Sequence, residues 1–130
     1  MLEVARHLEQ SRHLVLIVSW RAINIRFMGK EQTLYIETGH KVEGAVESQM
    51  FGKPCFKIGG KAFVAFFENC MVFKLNGEVH AEALRLEGAE LFDPSGKKRP
   101  MKEWVQVPYA HKAKWGGYAK AAMEYVNNGK

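Results

Sequence analysis

Residues 54–75 decide the fold: Pro54-Cys55-Phe56-Lys57-Ile58-Gly59-Gly60-Lys61-Ala62-Phe63-Val64-Ala65-Phe66-Phe67-Glu68-Asn69-Cys70-Met71-Val72-Phe73-Lys74-Leu75. Aromatic and β-branched runs bounded by turn residues read as strands. Gly59-Gly60 leaves two residues between Ile58 and Lys61, the spacing of a tight hairpin whose turn needs positive φ. Glu68-Asn69 separates Phe67 from Cys70 in the same way, with an asparagine that tolerates the left-handed region. Pro54 suits a strand start. Three strands in a meander follow.

The two turns predict a register. Ile58 opposite Lys61, and Phe67 opposite Cys70, would place Cys55, Val64 and Phe73 in line, with Lys57, Ala62, Phe66, Met71 and Leu75 on the same face. Phe56, Ile58, Phe63, Ala65, Phe67, Cys70 and Val72 would then occupy the other. Both faces are apolar, so each must be covered, by helices or by a partner subunit. The same register points Cys55 and Cys70 to opposite faces, which argues against a disulfide between them and for two small buried hydrophobes.

Working outward, Ala45 to Phe51 is a further strand, and Lys30 to Val42 reads as a short helix with Leu34, Tyr35, Thr38 and Val42 on one side. Downstream, Asn76 can cap a helix through Glu78, Val79, Ala83 and Leu84 that Gly88 ends. Ala89 to Phe92 is a short strand, Asp93-Pro94-Ser95-Gly96 a turn, and Met101 to Val107 a final strand with alternating character. Pro108 breaks it. Ala110 to Asn127 has the strongest helical period of the chain, in Trp115, Tyr118, Ala119, Ala122, Met123 and Val126, and Asn127-Asn128-Gly129 stops it. The expected fold is a single α+β domain. It has a twisted antiparallel sheet of about six strands with flanking helices, in the order helix, four strands, helix, two strands, helix.

Composition supports a folded domain. The chain has 130 residues, 47% hydrophobic and 25% charged, which excludes disordered and collagen-like classes. Two cysteines are too few for a disulfide-stapled secreted domain, so a reduced, cytoplasmic setting is expected. The run Leu14-Val15-Leu16-Ile17-Val18 is too short to span a membrane, and no membrane association is expected. Residues 1–27 stand apart as an N-terminal extension of uncertain structure, and residues 28–130 form the domain. A start assigned upstream of the true one, Met28, and a genuine extension packing on the sheet explain the first segment equally well.

Residues Met50-Phe51-Gly52-Lys53-Pro54-Cys55-Phe56-Lys57 followed by Gly59-Gly60-Lys61-Ala62-Phe63 resemble the signature of the N-terminal domain family of the competence regulator TfoX, also called Sxy. Met71 to Leu75, Leu91-Phe92-Asp93-Pro94, Arg99 to Val105 and the terminal amphipathic helix are similar to its small stand-alone members. The resemblance covers about residues 30–127. It implies a compact α+β domain with a twisted antiparallel sheet. It supplies no catalytic residues, and the C-terminal helical domain of the full-length regulators has no counterpart in this chain.

The densest positive patch is Lys97-Lys98-Arg99 with Lys102. It is the candidate contact for an anion or an acidic partner, aided by amides near Ser95-Gly96, against the alternative of a solvated loop. Trp104, Tyr109, His111 and Trp115 cluster in sequence and could stack nucleobases, but Trp115 and Tyr118 lie on the apolar stripe and read as core. Glu78, His80 and Glu82 read as a wet helix face. The five histidines and two cysteines lack metal-ligand spacing, and no serine or cysteine sits in a nucleophile motif. No catalytic residue, cofactor or metal is therefore expected.

The net charge is +5. Arg6, Arg12, Arg21 and Arg26 against Glu3 and Glu9 put +2 of it in residues 1–27, leaving +3 on the domain. Nucleic-acid binding through the loop at 97–102 is thereby the weaker reading. A non-enzymatic regulatory or protein-interaction module, with a protein partner or a second copy of itself, is the favoured expectation. A small-molecule binder or enzyme with an unmarked pocket is the third.

Overall fold

Three two-residue turns build the centre of the sheet. The computed structural model describes residues 29–128. The readings made on residues 1–27, and the helix stop at Gly129, lie outside the described residues. Strands β1 (Val46–Met50), β2 (Lys53–Ile58), β3 (Lys61–Phe67) and β4 (Cys70–Lys74) form an antiparallel meander. Its turns, Phe51-Gly52, Gly59-Gly60 and Glu68-Asn69, have positive φ at both central residues, as hairpins of matching twist require. The meander thus has one more strand than residues 54–75 alone indicate. Phe51, read as the end of a strand, is the first turn residue.

Helix α1 (Lys30–His40) precedes the meander, and α2 (Gly77–Leu84) follows it. Strand β5 (Glu90–Phe92) pairs with the outer edge of β6 (Met101–Val107), and β6 pairs with β4. The sheet order is β1-β2-β3-β4-β6-β5, all antiparallel. This is the expected α+β arrangement. The last helix begins later than its period suggests: Tyr109–Lys114 is a 3-10 segment with a non-helical His111, and α3 runs from Trp115 to Asn128. Pro108 sets the start of the segment. The His111 ring Nε2 meets the Glu87 carbonyl oxygen at 2.8 Å, which holds the chain out of the α path.

The chain divides into two units between Thr33 and Leu34. Of the first, Gly29–Thr33 are described: they open α1, where the Thr33 amide and hydroxyl each donate to the Gly29 carbonyl at 3.1 Å. From Leu34 onward the described residues share one main core on one face of the sheet. Tyr35 of α1, Ala83 of α2, and Trp115, Tyr118, Ala119, Ala122 and Val126 of α3 pack there on Phe56, Val64, Phe66, Met71, Phe73, Val105 and Val107. The opposite face carries a smaller buried cluster of Cys55, Ala65, Val72, Phe92 and Trp104.

The register differs from expectation at one point. Ile58 pairs with Lys61 and Lys57 with Ala62, but Phe56 then pairs with Val64, leaving Phe63 as the extra residue of a β-bulge. Phe63 and Val64 both reach the helix-side core. Phe56 therefore joins Val64 instead of opposing it, and Cys55 moves to the other face with Ala65 and Val72. Cys70, paired with Phe67, also lies on that second face. The two cysteines share a face, contrary to the expectation. Strand β3 lies between theirs, and two strand spacings of about 4.8 Å already exceed the reach of a disulfide. Both thiols are free among the described residues.

Candidate interaction surface

The loop after β5 is organised by Asp93. The Ser95 hydroxyl donates to Asp93 Oδ1 at 2.9 Å, the Gly96 amide donates to the same oxygen at 3.2 Å, and the Lys97 amide donates to the Ser95 hydroxyl oxygen at 3.1 Å. These contacts, the Ser95 hydroxyl first and then the amides of Gly96, Lys98 and Arg99, hold the Asp93 carboxyl below its ordinary range. An internal carboxylate thus takes the amides that were expected to help bind an outside anion. What the loop offers a partner is its cationic side chains.

Arg99, Pro94, Ser95 and Met101 line an open recess of about 360 Å³, and its remaining wall is Phe51 from the β1–β2 turn. Phe51 is 63% exposed and its backbone has φ of +53°. Lys97, Lys98 and Lys102 are exposed but do not line this recess. The Lys102 carbonyl faces His80 Nε2 of α2 at 2.8 Å. Of the four basic residues singled out in the sequence, Arg99 is the one that lines this recess with Phe51. The sequence places Phe51 at the end of a strand and not in a site, although an aromatic directly before Gly52, where hairpins favour asparagine or aspartate, was the available signal.

The aromatic cluster read in the sequence is divided by the sheet. Trp104 is buried on the second face, while Trp115 is buried in the helix-side core against Tyr109, ring centroids 5.6 Å apart. Neither indole is open to a nucleobase. Burial first pushes both thiols, Cys55 and Cys70, above their ordinary range, so neither is poised as a thiolate nucleophile. Among the described residues no group of His, Cys, Asp and Glu could hold a metal ion, and no helix is long and apolar enough to cross a membrane.

Glu82 is more than a solvated helix residue. Its Oε2 accepts from the Tyr118 hydroxyl at 3.2 Å and from Lys114 Nζ at 3.4 Å, tying α2 to α3. Burial first, then the bond to Glu82, pushes the Tyr118 phenol up to about 12. Burial also raises Tyr35, with Cys55 and Glu47 adding to the effect. Both phenols stay protonated in the fold to higher pH than in the unfolded chain, where a tyrosine titrates near 10. Their contribution to stability is complete below about pH 10 and is lost as pH rises toward the folded values. The denaturation midpoint should therefore fall between about pH 10 and 12, and Tyr118→Phe should flatten that fall when urea midpoints are measured across the range.

Comparisons with family models, with curated proteins and with solved structures return no match.

Proposed function

We propose that this chain is a non-enzymatic, cytoplasmic regulatory or protein-interaction module of the kind the TfoX resemblance implies, and that it meets a protein partner through Phe51 and Arg99. The observation that carries this reading is the cost of Phe51. A side chain with a Cβ at φ of +53° is strained by about 1 kcal/mol, and a residue 63% exposed recovers little of that by burial. Local rules broken without compensating packing mark functional positions. Phenylalanine and arginine, which line this recess together, are also residue types that anchor protein interfaces.

The test separates stability from binding. Phe51→Asn, which creates an Asn-Gly turn, is expected to raise the unfolding free energy by about 0.5–1 kcal/mol in denaturant titrations. A photo-crosslinking phenylalanine analogue at position 51, in the cells that make the protein, should give a discrete protein adduct that Arg99→Glu abolishes. The same analogue at exposed Lys61 should give none. An adduct of twice the chain mass would assign the surface to a second copy of the protein and would support the same reading. Nuclease-sensitive adducts, or no adduct at 51, would overturn it.

A further inference from the structure

A second recess lies between the end of α1 and the face of α3, with a volume of about 450 Å³, within the range of small-molecule sites. Its floor is apolar, formed by Leu34, Val42 and Met123, which also pack on the main core. Its rim carries Lys41, Lys112 and Lys120 against one carboxylate, Glu43. Lys112 is already engaged, with Nζ donating to the Tyr109 hydroxyl at 3.4 Å and lying over that ring. Lys41 and Lys120 are exposed and have no ion-pair partner among the described residues.

On α3, Gly116 and Lys120 stand four apart and share one face, and Lys112 precedes them in the 3-10 segment. Between the two lysines is Gly116. Glycine weakens a helix, so its presence needs a reason. No described residue supplies one: Gly116, like Gly117 beside it, has no positive φ, and a Cβ added there would meet nothing within 4 Å among the described residues. Gly39, in contrast, has its missing Cβ position filled by Phe56. The bare position keeps the wall of the recess open between its cations.

We infer that this groove is a binding site for a small amphiphilic carboxylate, its apolar body on Leu34, Val42 and Met123 and its anionic head between Lys41 and Lys120. The charge balance of the rim selects the anion, and the floor selects the apolar body. This site is separate from the Phe51 recess and does not depend on the function proposed for it.

Titration of the full-length protein with sodium decanoate, followed by amide chemical shifts, tests the inference. Saturable binding with Kd below about 1 mM is expected, with the largest shifts at Lys41, Gly116, Lys120 and Met123. Lys41→Glu combined with Lys120→Glu should weaken it at least about tenfold, because the head would then meet like charge. Gly116→Leu should abolish it by filling the groove, and Gly116→Ala should raise Tm by a few degrees as a folded control. Failure of decanoate to saturate, equal binding of decyltrimethylammonium, or undiminished affinity in Gly116→Leu would each overturn the assignment.

Discussion

Replacing Trp115 by alanine is expected to lower the unfolding free energy by about 3–5 kcal/mol, a large share of the roughly 5–15 kcal/mol that holds a domain together. Trp115 is fully buried at the start of α3, edge-on to Tyr109, and belongs to the cluster that joins all three described helices to the sheet. Alanine leaves a cavity that the sheet below cannot fill by moving. Trp115→Phe should cost far less. The indole Nε1 has no hydrogen-bond partner among the described residues, so phenylalanine removes an unsatisfied donor, worth about 1–3 kcal/mol, while giving up part of the apolar contact. Urea denaturation monitored by far-UV circular dichroism measures both. A Trp115→Phe loss equal to that of Trp115→Ala would refute the account of the donor.

Gly39→Ala is expected to cost about 2–3 kcal/mol, although alanine favours a helix by about 1 kcal/mol. The added methyl would fall well inside the contact distance of three atoms of the Phe56 ring. That ring cannot retreat, being packed between Tyr35 at 5.3 Å and His40 at 5.1 Å, ring centroid to centroid, and completely buried. Phe56→Leu opens space at the clash. The double variant should therefore be less destabilised than the two single losses added together, and a double-mutant cycle on urea midpoints reads that coupling directly. Additive losses would show that the close approach of α1 to β2 is not what Gly39 serves.

The secondary structure was legible where local chemistry decides it. Gly59-Gly60 and Glu68-Asn69 have no good alternative to a tight turn, Met101 to Val107 alternates, and the 3.6-residue period from Trp115 onward is unbroken. The Phe51-Gly52 turn was less legible because phenylalanine is a strand former and an unfavourable first turn residue. The candidate surface was legible in part. A cationic loop announces itself by composition, but its approach to Phe51 depends on strands folding back across the sheet.

What residues 54–75 determined by themselves was the hairpin ends, because a two-residue turn constrains φ at its own two positions whatever lies around it. What only the tertiary structure decided was which face each side chain takes beyond the bulge. Phe63 and Val64 both gain by burial under α3, and the sheet yields one ladder position so that both can have it. That single inserted residue breaks the alternation of β3 at Phe63–Val64, and so it placed Phe56 under α1, carried Cys55 to the face of Cys70, and reversed the faces of β2 that unbroken alternation along β3 would have assigned.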